Sequence, residues 1–301
     1  MIEFTIVVPV YNTRDYLRQC IDSVINQLNS TFEIILINDG SYDGSKEICD
    51  EYSVYENIEV VHLENGGPSR ARNIGMDLAN GKYILFLDSD DYLNDNQILM
   101  KFSNIFNESC CDMIYGKYDG FVDEKYHDCT YKIYPKEIKL RNKDLVGLDI
   151  EEVIISLFNH GNYYSSPTIK IYRKELLDEN HIRFHEGIYI EDEEWTPEVL
   201  LNSKTIFLYE DSFYHRRIRA NSIMTTEDDT RQFKKILDMI SIAENMIKYT
   251  SEMCENADLV EIYKEHFMNF KYGCISLMKK ITSQELSDKA LKEIEASFLC
   301  Q

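Results

Sequence analysis

Short apolar runs alternate with segments of helical spacing from residue 4 to residue 118, and this alternation most constrains the fold. The apolar runs are short, which is typical of strands that are buried on both faces of a sheet. Between them, apolar residues recur every three or four positions, as they do on one face of a helix. The order predicts an α/β fold with a doubly wound, mostly parallel sheet. The strand-like runs are residues 4–10, 33–38, 58–63, 83–88 and 112–118.

The rest of the chain divides into a less regular part and a helical part. Beyond residue 120 the periodicity predicts a helix over residues 142–158 and strands over 167–172 and 205–209. Near the end, apolar residues recur at spacings of three and four, which is typical of helices that pack on one another. We therefore expect a helical C-terminal subdomain. The predicted parts are residues 1–115, residues 116–225 and residues 226–301.

The charge of the chain is strongly acidic, with 53 acidic and 32 basic residues and a formal net charge of −21. It argues against nucleic acid as a partner, because binding to phosphates needs a basic surface. One basic cluster stands out, and three interpretations stay open for it: an anionic ligand, a peripheral contact with an anionic membrane surface, or ordinary surface charge. The cluster contains Arg216, Arg217, Arg219, Arg231, Lys234 and Lys235.

Cysteine usage and hydropathy indicate a cytoplasmic protein. Eight cysteines are scattered without a C-x-x-C pair, which indicates neither a disulfide framework nor a zinc site. The longest apolar runs match strands rather than membrane spans. No basic region precedes the first strand-like run, so we do not expect a secretory signal.

Three carboxylates lie at the end of the strand-like run over residues 83–88 and just after it, namely Asp88, Asp90 and Asp91. In open α/β sheets, ligands bind at the carboxyl ends of the strands. Carboxylates this close repel one another unless a divalent cation or protons neutralise them. The motif therefore suits a metal held against phosphates. It equally suits a polar turn that caps the next helix, and residue type and spacing favour neither interpretation.

The other strand ends exclude two classes of nucleotide-binding protein. Dinucleotide-binding and P-loop proteins need glycines after the first strand, but the first glycine here is Gly40. Tyr11 offers an aromatic face for a base instead. Asp39 directly follows the second strand-like run, and its carboxylate can accept from a base N–H or from ribose hydroxyls. By itself, the segment is more typical of a turn rich in turn-forming residues. Arg72 lies near a predicted helix start, where a guanidinium suits a diphosphate.

Taken together, these motifs resemble the inverting glycosyltransferases of family 2, which have the GT-A fold and include many bacterial polysaccharide transferases. The resemblance spans residues 4 to 225. The strongest motifs are Val8-Pro9-Val10-Tyr11-Asn12, Asn38-Asp39-Gly40-Ser41, Asn65-Gly66-Gly67 with Ala71-Arg72-Asn73, and Leu87-Asp88-Ser89-Asp90-Asp91. Weaker matches are Thr168 to Tyr172, Glu191-Asp192-Glu193, and Tyr214-His215-Arg216 with Ser222-Ile223.

The resemblance implies a UDP-sugar donor and a divalent metal, Mn²⁺ or Mg²⁺. It places Asp90 and Asp88 at the metal. His215 is a further candidate ligand because imidazole suits Mn²⁺, although the residue equally suits packing in an aromatic surface. The implied nucleotide-sugar site comprises Pro9, Val10, Tyr11, Asn12, Asp39, Asn65, Gly67, Arg72, Asp88, Ser89 and Arg217.

A second acidic cluster, Glu191 to Glu194, lies far from the first in the sequence. Inverting transfer needs one base on the acceptor hydroxyl and positive charge on the leaving diphosphate. By itself the cluster is more typical of a solvated helix start. The resemblance implies that Asp192 is the base, with Glu191 as the second candidate.

The sequence thus predicts a metal-dependent inverting hexosyl- or N-acetylhexosaminyltransferase. An α-linked donor would give a β-linked product. The expected acceptor is a glycan or lipid-linked saccharide in surface polysaccharide synthesis, met in the cytoplasm or at the inner face of the membrane. The alternative is a non-catalytic sugar-nucleotide-binding partner of a glycosyltransferase complex. A sugar-nucleotide pyrophosphorylase is disfavoured, because the glycine-rich loop that it needs after the first strand is missing.

Overall fold

The computed structural model describes residues 2–123, 139–219 and 228–298. In these ranges eight strands form one sheet, in the order β3-β2-β1-β4-β7-β6-β8-β5. The Ser222-Ile223 match lies outside them. The strands are β1 (Phe4–Val10), β2 (Phe32–Asp39), β3 (Ile58–Leu63), β4 (Tyr83–Phe86), β5 (Tyr92–Leu93), β6 (Met113–Val122), β7 (Lys170–Arg173) and β8 (Ile206–Ile218).

Helices connect the strands and form the whole described C-terminal region. None of those within the described ranges is long and apolar enough to cross a membrane. The helices are α1 (Arg14–Ile25), α2 (Ser45–Tyr52), α3 (Pro68–Leu78), α4 (Ile98–Ser109), α5 (Ile150–Asn159), α6 (Lys174–Glu179), α7 (Asp192–Asn202), α8 (Asp229–Met253), α9 (Ala257–Met268), α10 (Phe270–Met278) and α11 (Gln284–Phe298).

The predicted doubly wound, mostly parallel sheet is confirmed. Strands β1 to β4 are mutually parallel, β7 runs against both β4 and β6, and β8 is parallel to β6. The short β5 runs against β8. The parallel half brings the carboxyl ends of β1, β2 and β4 to one edge of the sheet. The ends of these strands carry the motifs that the sequence marks as a site.

Two local predictions in the second half were wrong in detail. The helix expected over residues 142–158 is a 3₁₀ turn, Asn142–Leu145, followed by the separate helix α5. Gly147 has a φ of +84°, which a helix does not accommodate, and the Asp149 side chain then caps α5 by accepting from the Glu152 N–H. The strand expected over residues 167–172 begins with a 3₁₀ turn, Pro167–Ile169, before β7.

The predicted helical C-terminal region is confirmed. Helix α8 packs against α9, α10 and α11, and also against α7. The apolar stripe that the sequence indicates is interrupted at Asn269, where α9 ends and α10 begins. Tyr263, Phe267 and Cys274 are fully buried in this packing. The domain boundaries given above stay predictions.

Candidate active site

The acidic edge after β4 is held by residues from the far end of the sheet. The Asp91 carboxylate accepts from the Tyr214 hydroxyl and from the Arg217 backbone N–H, both at 2.6 Å. The Asp90 carboxylate accepts from Arg219 Nε at 2.6 Å. Asp88 is more open, with 41% of its side chain exposed. Strand β8 thus provides most of the contacts that fix this edge.

Burial and mutual repulsion act on the two inner carboxylates. The pKa of Asp90 is raised by burial, opposed by Arg219 and reinforced by Asp88. Burial also raises the pKa of Asp91 well above its ordinary value, and the charges of Asp90 and Asp88 add to the rise. A divalent cation would relieve the mutual repulsion of these carboxylates, which the ion pairs of Asp88 with Arg72 and of Asp90 with Arg219 also relieve. The carboxylate oxygens at this edge therefore suit a metal ion that is held by one or two carboxylates and by substrate phosphates.

Asp39 holds the loop that precedes α3. Its carboxylate accepts from the backbone N–H groups of Gly66 at 2.7 Å and Gly67 at 2.8 Å, and from Asn65 Nδ2 at 3.1 Å. Gly40 lets the loop approach, because a Cβ there would lie 2.8 Å from the Asn65 nitrogen. Three predicted site residues therefore come together. Asp39 keeps this loop in shape, whatever else it contacts.

Two exposed aromatic rings border the same edge. Tyr11 is 42% exposed and Tyr42 is 83% exposed, and their rings meet edge-on with centroids 6.3 Å apart. Asn12 joins the two turns, since its side-chain oxygen accepts from the Tyr42 N–H at 3.0 Å. Tyr42 was not among the predicted site residues. Its signal was an aromatic residue within the turn that follows Asp39.

Three other predicted donor-site residues are more enclosed. Val10 is fully buried, which leaves only its backbone for a contact with a donor. Ser89 is buried and accepts from the Thr13 hydroxyl at 2.9 Å. Pro9 lies within β1 and is partly buried. These three residues therefore lie mainly inside the protein, below the surface of the sheet edge.

Arg72 links the two acidic clusters. Its Nη2 donates to Asp88 Oδ1 at 3.0 Å, and its Nη1 donates to Glu191 Oε1 at 2.6 Å. Burial lowers the pKa of Arg72, but the charges of Asp88 and Glu191 outweigh it and raise the pKa overall. The guanidinium also lies 5.3 Å from the centre of the Phe184 ring. The sequence had placed Arg72 at the nucleotide or diphosphate, and it did not predict this bridge.

The loop before α7 is held in an unusual backbone conformation. Ile190 has a φ of +58°, which is rare for a β-branched residue and costs conformational energy. Asn73 on α3 fixes the loop from below: its amide donates to the Phe184 carbonyl at 2.9 Å and to Glu186 at 3.1 Å, and its oxygen accepts from the Phe184 N–H. The second acidic cluster begins directly after Ile190, so the strain occurs where the candidate base is placed.

The four carboxylates of the second cluster differ in their partners. Glu191 pairs with Arg72, Glu193 with His266 Nε2 at 2.9 Å, and Glu194 with His185 Nδ1 at 2.9 Å. The Ser165 hydroxyl lies between two of these carboxylates, 2.9 Å from Glu193 Oε1 and 3.3 Å from Asp192 Oδ2. Burial, followed by the charges of Glu193 and Glu191, raises the pKa of Asp192 to about 7. A carboxylate with such a pKa is suited to accept a proton near neutral pH.

His215 and Arg217 lie on β8 beside the first cluster. His215 Nδ1 is 3.1 Å from the Tyr92 hydroxyl, and its ring packs against Tyr92 and Phe121. Within the part of the chain that the structure describes, no group of three His, Cys, Asp or Glu side chains is arranged to hold a metal ion. The ligand role of His215 stays a prediction, and its surroundings match the aromatic packing that was the alternative.

The Arg217 guanidinium contacts protein groups in this structure. Its Nη1 is 3.2 Å from Asp123 Oδ2, its Nη2 donates to Gln19 at 2.6 Å, and its Nε donates to the Asp90 carbonyl at 3.0 Å. It lies at the acidic edge, beside Asp90 and Asp91. A contact with donor phosphates stays a prediction that requires some of these bonds to be exchanged.

Comparison with known proteins indicates one family of glycosyltransferases. The family model "Glycosyl transferase family 2" matches residues 5–180. Glycosyltransferase GlyG of Streptococcus pneumoniae is 34% identical over 244 residues, which cover 79% of this chain and 78% of GlyG. The poly(ribitol-phosphate) beta-N-acetylglucosaminyltransferase TarS of Staphylococcus aureus is 27% identical over 94% of this chain, but the match covers only 48% of TarS.

Solved structures share the fold. The crystal structure of S. aureus TarS 1–349 in complex with UDP-GlcNAc superposes with a TM-score of 0.69 at 21% identity, over 99% of this chain and 89% of that one. The mannosyltransferase PcManGT from Pyrobaculum calidifontis, solved with GDP-Man and Mn²⁺, has a TM-score of 0.57 at 11% identity, over 98% of this chain and 75% of that one. At these identities the likeness shows the fold alone.

Proposed function

Because the chain belongs to glycosyl transferase family 2 and is a glycosyltransferase, we propose that it carries out metal-dependent, inverting transfer from a UDP-sugar to an acceptor hydroxyl. One observation carries this proposal. Two acidic clusters, far apart in the sequence, face a single buried guanidinium, with Arg72 bound to Asp88 on one side and Glu191 on the other. One cluster suits a metal and the other suits a base.

The donor binds at the edge formed by β1, β2 and β4. Tyr11 and Tyr42 offer aromatic faces on which a base can stack, and the Asp39 loop lies beside the carboxyl end of β2. The TarS structure in complex with UDP-GlcNAc supports a UDP-sugar as the donor class. Stacking and a few polar contacts then orient the nucleotide with its diphosphate towards Asp88.

Asp88 and Asp90 are the residues that would hold Mn²⁺ or Mg²⁺ together with donor phosphates. Bound there, the metal supplies positive charge to the leaving diphosphate. Asp91 supports the site from beneath through its bonds to Tyr214 and Arg217. The structure of PcManGT with Mn²⁺ supports this assignment only by analogy, because that likeness is one of fold.

Asp192 acts as the base, because its pKa of about 7 suits proton transfer near neutral pH. It takes the proton from the acceptor hydroxyl on the face of the sugar opposite the diphosphate. Arg72 holds Glu191 in an ion pair at 2.6 Å, whereas the Asp192 carboxylate has no such cationic partner among the described residues and has the raised pKa. Such a single displacement inverts the anomeric centre, so an α-linked donor gives a β-linked product.

The acceptor is a glycan or a lipid-linked saccharide used in surface polysaccharide synthesis, and the enzyme works in the cytoplasm or peripherally at the inner face of the membrane. The similarity to TarS, a poly(ribitol-phosphate) beta-N-acetylglucosaminyltransferase, supports a cell-surface polymer. Residues 1–115 then bind the donor, residues 116–225 contribute the base and the acceptor side, and residues 226–301 form the helical subdomain.

A donor screen tests the proposal. The protein is incubated with UDP-glucose, UDP-galactose, UDP-GlcNAc, UDP-GalNAc and GDP-mannose in the presence of Mn²⁺, and released nucleotide is measured chromatographically. We expect UDP release from at least one UDP-sugar, which Asp192→Asn abolishes while UDP still binds. Binding of UDP-sugars without any release would support the non-catalytic alternative, and release of GDP only would overturn the donor class.

A further inference from the structure

A group of cations lies where α8 begins, in a chain that is otherwise strongly acidic. Arg231 and Lys235 are four residues apart on α8, so their side chains share one face of the helix. Lys280 lies near the same end, because the residues that follow it are tied to the first residue of α8. Asp229 accepts from the backbone N–H groups of Thr282 at 3.0 Å and Ser283 at 2.8 Å. Arg231, Lys234, Lys235 and Lys280 are here called the α8 cation cluster.

The cluster is attached to the loop that carries the candidate base. The Tyr189 backbone N–H donates to Asp238 on α8 at 2.9 Å. The ammonium groups of Lys234 and Lys235 lie 5.6 Å and 5.5 Å from the centre of the Tyr189 ring. Tyr189 precedes Asp192 by three residues, so their Cα atoms are at most about 11 Å apart. One bound molecule can therefore reach both the cluster and the base.

The neighbouring carboxylates are engaged by the protein. Asp228 accepts from the Arg231 backbone N–H at 2.8 Å, and Asp229 is held by Thr282 and Ser283. Asp238 is buried and pairs with Lys234 at 2.9 Å. Burial lowers the pKa of Lys235, and the charges of Arg231 and Lys280 lower it further. The cluster is thus a local positive field beside an active-site loop, a place suited to an anion.

We propose that the α8 cation cluster binds a phosphate group of the acceptor, so that the acceptor is a phosphate-bearing saccharide or polyol chain. This inference rests on the proposed transferase function, and it names the acceptor class. Ordinary surface charge would have no such link to the active-site loop. The contacts of Tyr189 with α8 set the distance between the acceptor phosphate and Asp192. Phosphate also suits the chemistry, since it is a compact dianion or monoanion that lysine and arginine both bind.

A membrane surface is the less favoured occupant. Each basic residue near an anionic membrane strengthens binding by about fivefold. The cluster has four cations, of which Lys234 is paired with Asp238, and this leaves fewer than the roughly four to eight basic residues of segments that bind anionic lipid. A single phosphate group needs only two or three cations, and Arg231 and Lys235 share one face of α8 with Lys280 close enough to act on Lys235.

The test uses the full chain with its donor site filled by UDP and Mn²⁺, and a synthetic glycerol phosphate oligomer as the probe. Binding is measured by isothermal titration calorimetry at two salt concentrations. We expect the oligomer to bind more weakly at the higher salt concentration. The double variant Arg231→Gln/Lys235→Gln should weaken binding by on the order of tenfold or more, from about fivefold for each cation. A second variant, Lys280→Gln, should give a smaller loss in the same direction.

Matched controls separate this site from other effects. The double variant Lys248→Gln/Lys264→Gln removes the same charge from exposed positions on α8 and α9 and should bind the oligomer as the wild type does. Acceptor-free hydrolysis of the UDP-sugar should be unchanged in all these variants, because it uses only the donor site. Equal oligomer binding by the wild type and by Arg231→Gln/Lys235→Gln would overturn the proposal.

Two further outcomes are informative. Sedimentation with phosphatidylglycerol vesicles, but not with phosphatidylcholine vesicles, together with no binding of the oligomer, would overturn the proposal in favour of a membrane surface. Oligomer binding that depends on the cluster, in a protein that releases no UDP from any donor, would overturn the transferase proposal and leave the phosphate site supported.

Discussion

The dependence of the rate on pH should report the ionisation of Asp192. Burial and the charges of Glu193 and Glu191 raise the pKa of this carboxyl to about 7. A base works only in its ionised form, so activity should rise as the pH rises through 7. About one-tenth of the molecules are active at pH 6 and about one-hundredth at pH 5, whereas a carboxyl with an ordinary pKa would give a flat profile above about pH 5.

A second carboxyl in the same helix must be separated from Asp192. Burial, with a contribution from Glu194, raises the pKa of Glu198 to about 7 as well. Glu198→Gln therefore serves as the matched control and should leave the pH profile unchanged. Asp192→Asn should lower turnover by on the order of 10² to 10⁴, the range for a positioned proton transfer, which corresponds to about 3–5 kcal/mol of activation free energy.

The neighbour Glu191 tests the sign of the electrostatic argument. Removing its charge in Glu191→Gln takes away one negative neighbour and frees Arg72 to stabilise ionised Asp192. The pKa of Asp192 should fall, and the acid limb of the profile should move to lower pH. The assay is direct chromatography of released UDP, which avoids coupling enzymes with their own pH dependence. Either of two results would refute the assignment of Asp192 as the base. One is an acid limb of the pH profile that moves in Glu198→Gln, and the other is a loss of turnover in Glu191→Gln as large as that in Asp192→Asn.

Three other changes test the rest of the site. Excess EDTA should abolish transfer and added Mn²⁺ or Mg²⁺ should restore it, while Asp90→Asn should weaken UDP-sugar affinity only when metal is present, as measured by calorimetry. Arg72→Gln leaves the Glu191 carboxylate, which is only 13% exposed, without its cationic partner and should cost about 3 kcal/mol of stability, seen as a lower Tm. A Tm like that of the wild type would contradict the bridge. His215→Ala should raise the metal concentration needed for half-maximal activity if His215 is a ligand, and an unchanged metal titration would make it a packing residue.

The fold was predictable because the parallel half of the sheet depends on local pattern. Strands β1, β2 and β4 are buried on both faces, so each appears in the sequence as a continuous apolar run. The carboxylates that end β2 and β4 then fall at one edge by topology alone. The helix expected over residues 142–158 failed for an equally local reason, because a glycine with positive φ interrupts it at Gly147.

The partners of the site residues were not predictable, because they come from distant parts of the chain. Arg72 and Glu191 are separated by 119 residues, and Tyr214 and Asp91 by 123. Periodicity carries no information about such pairs, since it only fixes which face of an element is buried. The candidate base and metal residues could therefore be named from sequence motifs, whereas the Arg72 bridge between them is visible only from side-chain positions.

The most direct test of the central claim is the anomeric configuration of the first product. The active UDP-sugar from the donor screen, an α-linked donor, is hydrolysed by the enzyme in the absence of acceptor and followed by proton NMR from the first minutes. A single displacement with Asp192 as the base predicts that the β anomer appears first and then mutarotates. Initial release of the α anomer would contradict the inverting mechanism and the role of Asp192.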